Sequence, residues 1–307
     1  MNAIAAIVVT YNRKVLLDEC LTHLEQLADL CDILLVDNAS TDGTPELVQQ
    51  HNAENLHYFN TGKNIGGAGG FNFGLRKAYE MGYQYFWLMD DDTMVERSSL
   101  EELLRCDRVL KGNYGFLSSQ ALWIDGSHCV MNYHTIADYW EEDAPLLQEQ
   151  MIPIQAATFV SFFTRREVVE AVGLPIRDYF IWGDDTEYSL RIAKHFPDCY
   201  YCYNSFVVHK MKANQATGGF EKMTDPERIE RMRISVRNDF CTAKRRGFKK
   251  VIRNMIQTFK ILYKCITTSD CLYRGKKIGI LFLGTLDGIA FHPPIEQVSH
   301  SGQGGQA

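Results

Sequence analysis

Two stretches of this 307-residue chain carry an aromatic, apolar run straight into clustered carboxylates. Phe86-Trp87-Leu88-Met89 leads into Asp90-Asp91-Asp92-Thr93, and Tyr179-Phe180-Ile181-Trp182-Gly183 leads into Asp184-Asp185. The first run reads as a buried strand whose acids sit where it leaves the core. Adjacent carboxylates repel one another unless a cation neutralises them. Oxygen ligands suit hard cations such as Mg²⁺ or Mn²⁺, which often bridge to substrate phosphates. The second pair suits proton transfer, because neighbouring carboxylates raise each other's pKa and make a better base near neutral pH. For an arbitrary acidic triplet a solvated turn is the plain alternative; the strand before this one and the segments around it favour a ligand site.

The elements that must position these acids alternate between strand and helix. Ala3 to Val9 is a β-branched apolar run that ends at Thr10-Tyr11-Asn12-Arg13, and Leu17, Leu21 and Leu24 follow at helical spacing. Ile33 to Val36 is a second buried strand, ending in Asp37-Asn38-Ala39-Ser40-Thr41-Asp42-Gly43, with Thr44-Pro45 opening a helix. Leu56 to Phe59 is a third strand and Tyr83 to Met89 the fourth, with the next helix starting at Ser98-Ser99 and a capping box from Glu101 and Glu102. This alternation predicts an α/β fold on a mostly parallel sheet with right-handed crossovers. The ends Thr10 to Arg13, Asp37 and Asp90 to Asp92 would then share one edge, where ligands of open α/β sheets gather.

Asn64-Ile65-Gly66-Gly67-Ala68-Gly69-Gly70 opens the third helix. It is no Walker loop, because Gly62-Lys63 is followed by Asn64, and it is no dinucleotide fingerprint, because Asn72 takes the third glycine's place. It reads either as a flexible loop or as backbone that a bulky ligand approaches closely, ahead of a helix N-terminus that favours phosphate. Farther on, Tyr114 to Ile124, Ala156 to Thr164 and Tyr200 to Val208 read as strands. A short helix ends near Gly173, and Tyr188, Ile192 and Phe196 mark another.

Composition sets the frame. Hydrophobic residues at 46% and charged residues at 23% describe a folded protein with a real core, and a net charge of -6 gives no reason to expect a nucleic-acid partner. Nine cysteines show no framework spacing, and Cys199-x-x-Cys202 lies in a strand where its thiols face opposite sides, so buried thiols in a reducing cytoplasm are expected. There is no signal-peptide pattern and no apolar run of about 18 residues that would span a bilayer. The tail from 299 to 307 is low-complexity and is expected to be disordered.

Taken together, Ile7-Val8-Val9-Thr10-Tyr11-Asn12-Arg13, Val36 to Asp42, Asp90-Asp91-Asp92, Gly183-Asp184-Asp185 and His209 resemble family 2 inverting glycosyltransferases of the GT-A fold. The resemblance covers roughly residues 3 to 240. Asn64 to Phe71 and Phe180 to Asp185 look most like galactofuranosyltransferases, with rhamnosyltransferases close behind, and Arg237-Asn238 resembles an Arg-Asn pair near the end of such domains. The resemblance implies a metal site of Asp90, Asp92 and His209 for Mn²⁺ or Mg²⁺. It places the nucleotide sugar on Thr10, Tyr11, Asn12, Arg13, Asp37, Asn64, Gly66, Gly67 and Asp91, with Asp37 on the uracil imide and Asp91 facing the ribose or sugar. It makes Asp185 the catalytic base, with Asp184 beside it, and gives the acceptor Trp182, Gly183 and Asp184; the two acids cannot be ranked from sequence. The implied reaction is a single displacement from a UDP-sugar to a glycan or glycolipid hydroxyl with inversion, in bacterial cell-surface polysaccharide synthesis. Little precedes the first strand, which favours transfer of one or a few sugars over polymerisation.

From Asp225 the chain turns basic and helical, through Arg228, Arg231, Arg233, Arg237, Lys244-Arg245-Arg246, Lys249-Lys250 and Arg253. Val251, Met255, Phe259 and Leu262 share one face. Such a helix suits an anionic membrane surface, or else a lid on the catalytic domain. The expected layout is a catalytic domain over 1–224, a basic helical region over 225–298 and a tail over 299–307, in an enzyme peripheral to the inner face of the cell membrane. A dTDP-rhamnose enzyme, a silent nucleotide-sugar-binding scaffold and a nucleotidyltransferase are the competing readings. The last would want a Gly-rich phosphate loop after the first strand, where only Thr10 to Lys14 stands.

Overall fold

A computed structural model describes residues 2–51, 53–132, 134–138, 144–214 and 219–298. The expected tail over 299–307 lies outside them. The described residues fall into two compact units: the first holds those up to Arg177, Asp185–Asn214 and those from Ile295, and the second holds Asp178–Asp184 and those up to Pro294.

The first unit is a sheet with a helical layer on each face. In chain order its elements are β1 (Ile4–Thr10), α1 (Lys14–Glu25), β2 (Cys31–Asp37), α2 (Thr44–His51), β3 (Leu56–Asn60), α3 (Gly66–Glu80), β4 (Tyr85–Asp90), β5 (Thr93–Val95) and α4 (Arg97–Leu110). There follow β6 (Phe116–Leu122), β7 (Thr135–Ile136), α5 (Ala144–Gln148), β8 (Met151–Ala156), β9 (Phe162–Arg165), α6 (Arg166–Val172), α7 (Asp184–His195, its first residue grouped with the second unit) and β10 (Tyr200–His209). The strand order is β3-β2-β1-β4-β9-β6-β10-β8-β7, with β5 on β10. Every residue of β1 and β2 is buried, as a parallel strand covered on both faces requires. Ala6, Val8, Ile33 and Leu35 pack towards α1 and α4 on one side, and Ala5, Ile7, Leu34 and Val36 pack towards α3 on the other.

The sheet is parallel from β3 to β4, as the alternation predicts. Beyond β4 it is mixed. β9 enters antiparallel between β4 and β6, and β10 is parallel to β6 but antiparallel to β8 and β5. The expected strand from Ala156 to Thr164 is the end of β8 and the start of β9 with a turn between them, where Ser161 takes a positive φ of 59°. A continuous apolar stretch conceals such a break, because both strands are buried. The cap of α4 also differs: the Glu96 N–H donates to Ser99 Oγ at 3.0 Å, so Ser99 is the third helical residue rather than the start. Cys199 and Cys202 do belong to the cores on opposite faces of the sheet, and all nine cysteines are buried and free.

The second unit is helical: α8 (Pro226–Arg246), α9 (Phe248–Thr267) and α10 (Arg274–Ala290). Asp225 caps α8 by accepting from the Glu227 and Arg228 N–H groups, and Pro226 occupies the first turn. Phe220, Ile229, Cys265, Ile280 and Leu281 form its core. Gly284 and Gly288 let α10 lie directly on α8; a Cβ on Gly288 would stand 2.7 Å from Phe240 Cβ. Among the described residues no helix is long and apolar enough to cross a membrane.

Candidate active site

Register brings the polar strand ends together. Thr10 pairs with Asp37 across β1 and β2, and Val9 pairs with Asp90 across β1 and β4. On the far side of the triplet, β5 pairs with β10 so that Thr93 faces His209, and Lys210 N donates to Asp92 O at 2.8 Å. Asp90, Asp92 and His209 thereby converge, with one ligand atom of each lying within 4.8 Å of the other two.

Whether these residues suit a divalent cation can be judged from their protons and partners. Asp92 Oδ1 is buried and accepts no well-formed hydrogen bond, although His209 Nε2 stands 3.1 Å away. His209 Nδ1 lies 2.8 Å from Asn132 Oδ1. The Nδ1 proton belongs there, because a carboxamide oxygen can only accept, so Nε2 is the nitrogen that faces the carboxylates: protonated while no cation is bound, and able to ligate one once it gives up that proton. Burial disfavours charge on His209, but the adjacent Asp92 carboxylate overrides this and lifts its pKa to about 10. Burial and the charge of Asp92 raise Asp90. Burial would raise Asp92 too, but His209 and Arg13 together hold it below the usual carboxylate range. In effect an imidazolium and a guanidinium balance the carboxylates. The donor set, two carboxylates and one imidazole with a buried oxygen left without a partner, fits Mn²⁺ or Mg²⁺.

The other residues assigned to the nucleotide sugar divide. Arg13 bridges the triplet, with Nη1 3.0 Å from Asp91 Oδ1 and Nη2 2.6 Å from Asp92 Oδ2. Thr10 Oγ1 donates to Asp91 Oδ2 at 2.7 Å. Asp91 is buried, with one oxygen accepting from Thr10 and the other paired with Arg13, and it ties β4 to the β1 end. Burial lifts it to about 6, ahead of the opposing pull of Arg13. Asp37 is fully buried and also partnered, accepting from Ser40 N at 2.8 Å and Tyr58 OH at 2.7 Å. A base imide would have to share those oxygens, which retain lone pairs for it. Asn12 takes a left-handed φ of 52°, and its Oδ1 accepts from Thr41 N at 2.7 Å, which locks the β1 loop to the β2 loop. Tyr11 beside it is 43% exposed.

The glycine segment has two jobs. A Cβ on Gly70 would stand 2.4 Å from Val9 Cγ1, and one on Gly74 2.6 Å from Ile7 Cγ2. These glycines seat α3 on β1, a packing role that the ligand-approach reading does not include. Gly67 is different, because a Cβ there would meet nothing within 4 Å. Asn64 Oδ1 accepts from Gly66 N at 2.8 Å, and Asn38 Nδ2 donates to Gly66 O at 3.0 Å, so this helix start is held in place.

Asp185 lies in the first turn of α7, partly buried. Its Oδ1 accepts from Thr186 N at 2.6 Å and Thr186 Oγ1 at 3.2 Å. Burial is the largest influence on it and raises its pKa. The preceding residues belong to the second unit and take unusual backbone angles: φ is 64° at Phe180, 63° at Trp182 and 83° at Gly183. Asn238 on α8 holds that turn, with Nδ2 donating to the carbonyls of Tyr179 (3.0 Å), Ile181 (3.1 Å) and Trp182 (2.8 Å). Arg237 Nη2 adds the Asp178 carbonyl at 2.9 Å. Sequence reasoning noted the Arg-Asn pair but not this task, nor the role of Asn132, whose only signal is a buried polar residue far from any motif.

Residues 5–170 match the sequence profile of Glycosyl transferase family 2. The galactofuranosyltransferase GlfT1 of Mycolicibacterium smegmatis is 26% identical over 202 residues, 63% of this chain and 66% of the relative. GlfT1 of Mycobacterium tuberculosis is 28% identical over 201 residues, 63% of this chain and 65% of the relative. The chain thus spans just under two thirds of the length of these relatives. Among solved structures, the mannosyltransferase PcManGT from Pyrobaculum calidifontis, in complex with GDP-Man and Mn²⁺, superposes with a TM-score of 0.58 at 16% identity, over 94% of this chain and 87% of that one. S. aureus TarS 1-349 with UDP-GlcNAc gives 0.55 at 12% identity, over 93% and 82%. These two establish a shared GT-A fold, and with the profile match the chain belongs to glycosyl transferase family 2.

Proposed function

We propose that this enzyme moves galactofuranose, with inversion, from UDP-galactofuranose to a hydroxyl of a lipid-borne glycan in bacterial cell-surface polysaccharide synthesis, at the inner face of the cell membrane. The observation that carries the reading is the convergence of Asp90, Asp92 and His209 at the strand ends that also bring Thr10, Arg13 and Asp37 together. Bound there, Mn²⁺ or Mg²⁺ would supply charge to offset that growing on the departing diphosphate. Arg13 contributes further positive charge at the same edge. Asp185 takes the proton of the attacking hydroxyl: Oδ1 is held by Thr186, Oδ2 is the basic oxygen, and the raised pKa makes it a stronger base than an exposed aspartate. Asp184 and Trp182 receive the acceptor. Both GlfT1 relatives are named galactofuranosyltransferases, which favours this sugar.

Calorimetry tests the donor, comparing UDP, dTDP, UDP-galactofuranose and dTDP-rhamnose with Mn²⁺ and with EDTA. Metal-dependent binding that prefers UDP-galactofuranose is expected, and a preference for dTDP-rhamnose would replace the substrate. Asp185→Asn should bind donor normally and lose transfer; near-normal turnover would remove Asp185 as the base.

A further inference from the structure

We propose that α9 and the outer side of α10 form a docking face for an anionic bilayer surface. On α9, the residues Phe248, Ile252, Met255, Ile256, Phe259 and Tyr263 fall in one stripe roughly 100° wide at 3.6 residues per turn, and all are exposed, Phe248 at 77%, Phe259 at 61% and Tyr263 at 67%. Along one margin of that stripe run Lys249, Arg253, Lys260 and Lys264, and the helix holds no carboxylate. None of these cations forms an ion pair among the described residues, whereas most of those of α8 are engaged: Arg233 with Asp287, Arg231 with Glu227, Arg237 with the Asp178 carbonyl, Arg245 with the Pro293 carbonyl and Lys244 with the Ile289 and Phe291 carbonyls, which leaves Arg228 and Arg246. The free positive charge of this unit is therefore concentrated on α9, in a chain whose net charge is -6.

The apolar surface continues onto α10. Phe282 is 64% exposed, with Leu286 and Ile289 on the same side, while Gly284 and Gly288 turn the opposite side onto α8. Between the two helices lies an almost wholly apolar groove of about 360 Å³, walled by Met255, Phe259, Leu262, Ile278, Phe282 and Leu286. Isolated surface apolar residues are ordinary, but a contiguous stripe of this length in water marks a partner site. An apolar stripe bordered by unpaired lysines whose stems can lie along hydrocarbon while their ammonium groups reach headgroups is complementary to an anionic lipid surface. The groove then receives one acyl chain. The proposal deepens the reading of a lipid-borne acceptor, but vesicle binding involves no sugar transfer, so the two fail separately.

The test is co-sedimentation of the full chain with phosphatidylcholine vesicles and with vesicles of phosphatidylcholine mixed with phosphatidylglycerol, at low and high salt. Binding to the anionic vesicles, weakened by salt and poor on the neutral ones, is expected. Phe259→Asp with Phe282→Asp should lower it by roughly tenfold per side chain. Changing Lys249, Lys260 and Lys264 to Gln should cost about fivefold per charge on anionic vesicles only. Both variants alter exposed side chains and should keep the wild-type melting temperature. Absence of vesicle binding by the wild type, or equal binding by the variants, would overturn the proposal. So would a lipid-independent dimer that the double Phe variant dissociates without any vesicle binding, because the face would then serve a second copy of the chain.

Discussion

The side chain of Asn238 holds the backbone of Trp182 in a left-handed conformation: Nδ2 donates to the Trp182 carbonyl at 2.8 Å, where φ is 63°. A bulky residue there costs on the order of 1–3 kcal/mol and persists only when its surroundings enforce it. Asn238 is fully buried and spends the same amide on Tyr179 and Ile181. Asn238→Ala should therefore leave the three carbonyls short of a donor and release the turn, at a cost of about 1–3 kcal/mol. Under the proposed function, which gives Trp182 to the acceptor, KM for the acceptor should rise and kcat fall at least tenfold while donor Kd stays unchanged. An unaltered acceptor KM would detach this turn from acceptor binding.

His209 and Asn132 give a second separable prediction. His209→Ala removes a residue that the proposal gives to the metal, and Asn132→Ala removes only the 2.8 Å acceptor that keeps its proton on Nδ1. Loss of such a supporting partner weakens metal affinity by roughly 10–100-fold. Mn²⁺ titration should rank wild type above Asn132→Ala and Asn132→Ala above His209→Ala. Equal affinity in wild type and Asn132→Ala would mean that the imidazole needs no such orientation.

The glycines of α3 separate packing from ligand approach. Gly70→Ala forces a methyl to within 2.4 Å of Val9 Cγ1, overpacking that costs roughly 1–3 kcal/mol and shifts the β1 end. Gly67→Ala meets nothing within 4 Å, so its stability should stay within about 0.5 kcal/mol of wild type, while donor binding weakens if the nucleotide passes over that backbone. Urea unfolding and donor titration of both variants decide the matter, and a strongly destabilised Gly67→Ala would contradict the assignment.

The parts that were legible in the sequence are those fixed by local chemistry and period. β1, β2 and β4 show as apolar runs, and their polar ends share an edge because parallel strands with right-handed crossovers leave no other arrangement. The candidate metal site needed one distant residue, His209, which only the family resemblance supplied. What stayed hidden depends on contacts remote in sequence. β9 inserts antiparallel between β4 and β6 through side chains no different from those of a parallel strand. The contacts of Asp91 with Thr10 and Arg13 join positions about 80 residues apart and leave no local signal. The cations after Asp225 form one basic run in sequence, yet those of α8 are largely consumed by carboxylates and carbonyls and those of α9 are not.

His134 supplies a pH prediction away from the carboxylates. Burial, aided by His128, lowers its pKa from 6.5 to about 4, and the Ser118 hydroxyl lies 2.9 Å from Nε2. The folded state disfavours the imidazolium, so its value lies below that of the unfolded chain. The stability gained from the neutral ring is complete above 6.5 and is lost as pH falls through the interval down to about 4. Between about pH 7.5 and about pH 4.5 the wild type should lose on the order of 2 kcal/mol more than His134→Gln, whose side chain does not titrate. Urea unfolding of both proteins at the two pH values measures the difference, and the comparison cancels the carboxylates that titrate in each. Equal losses would show that His134 is solvated or repartnered when protonated.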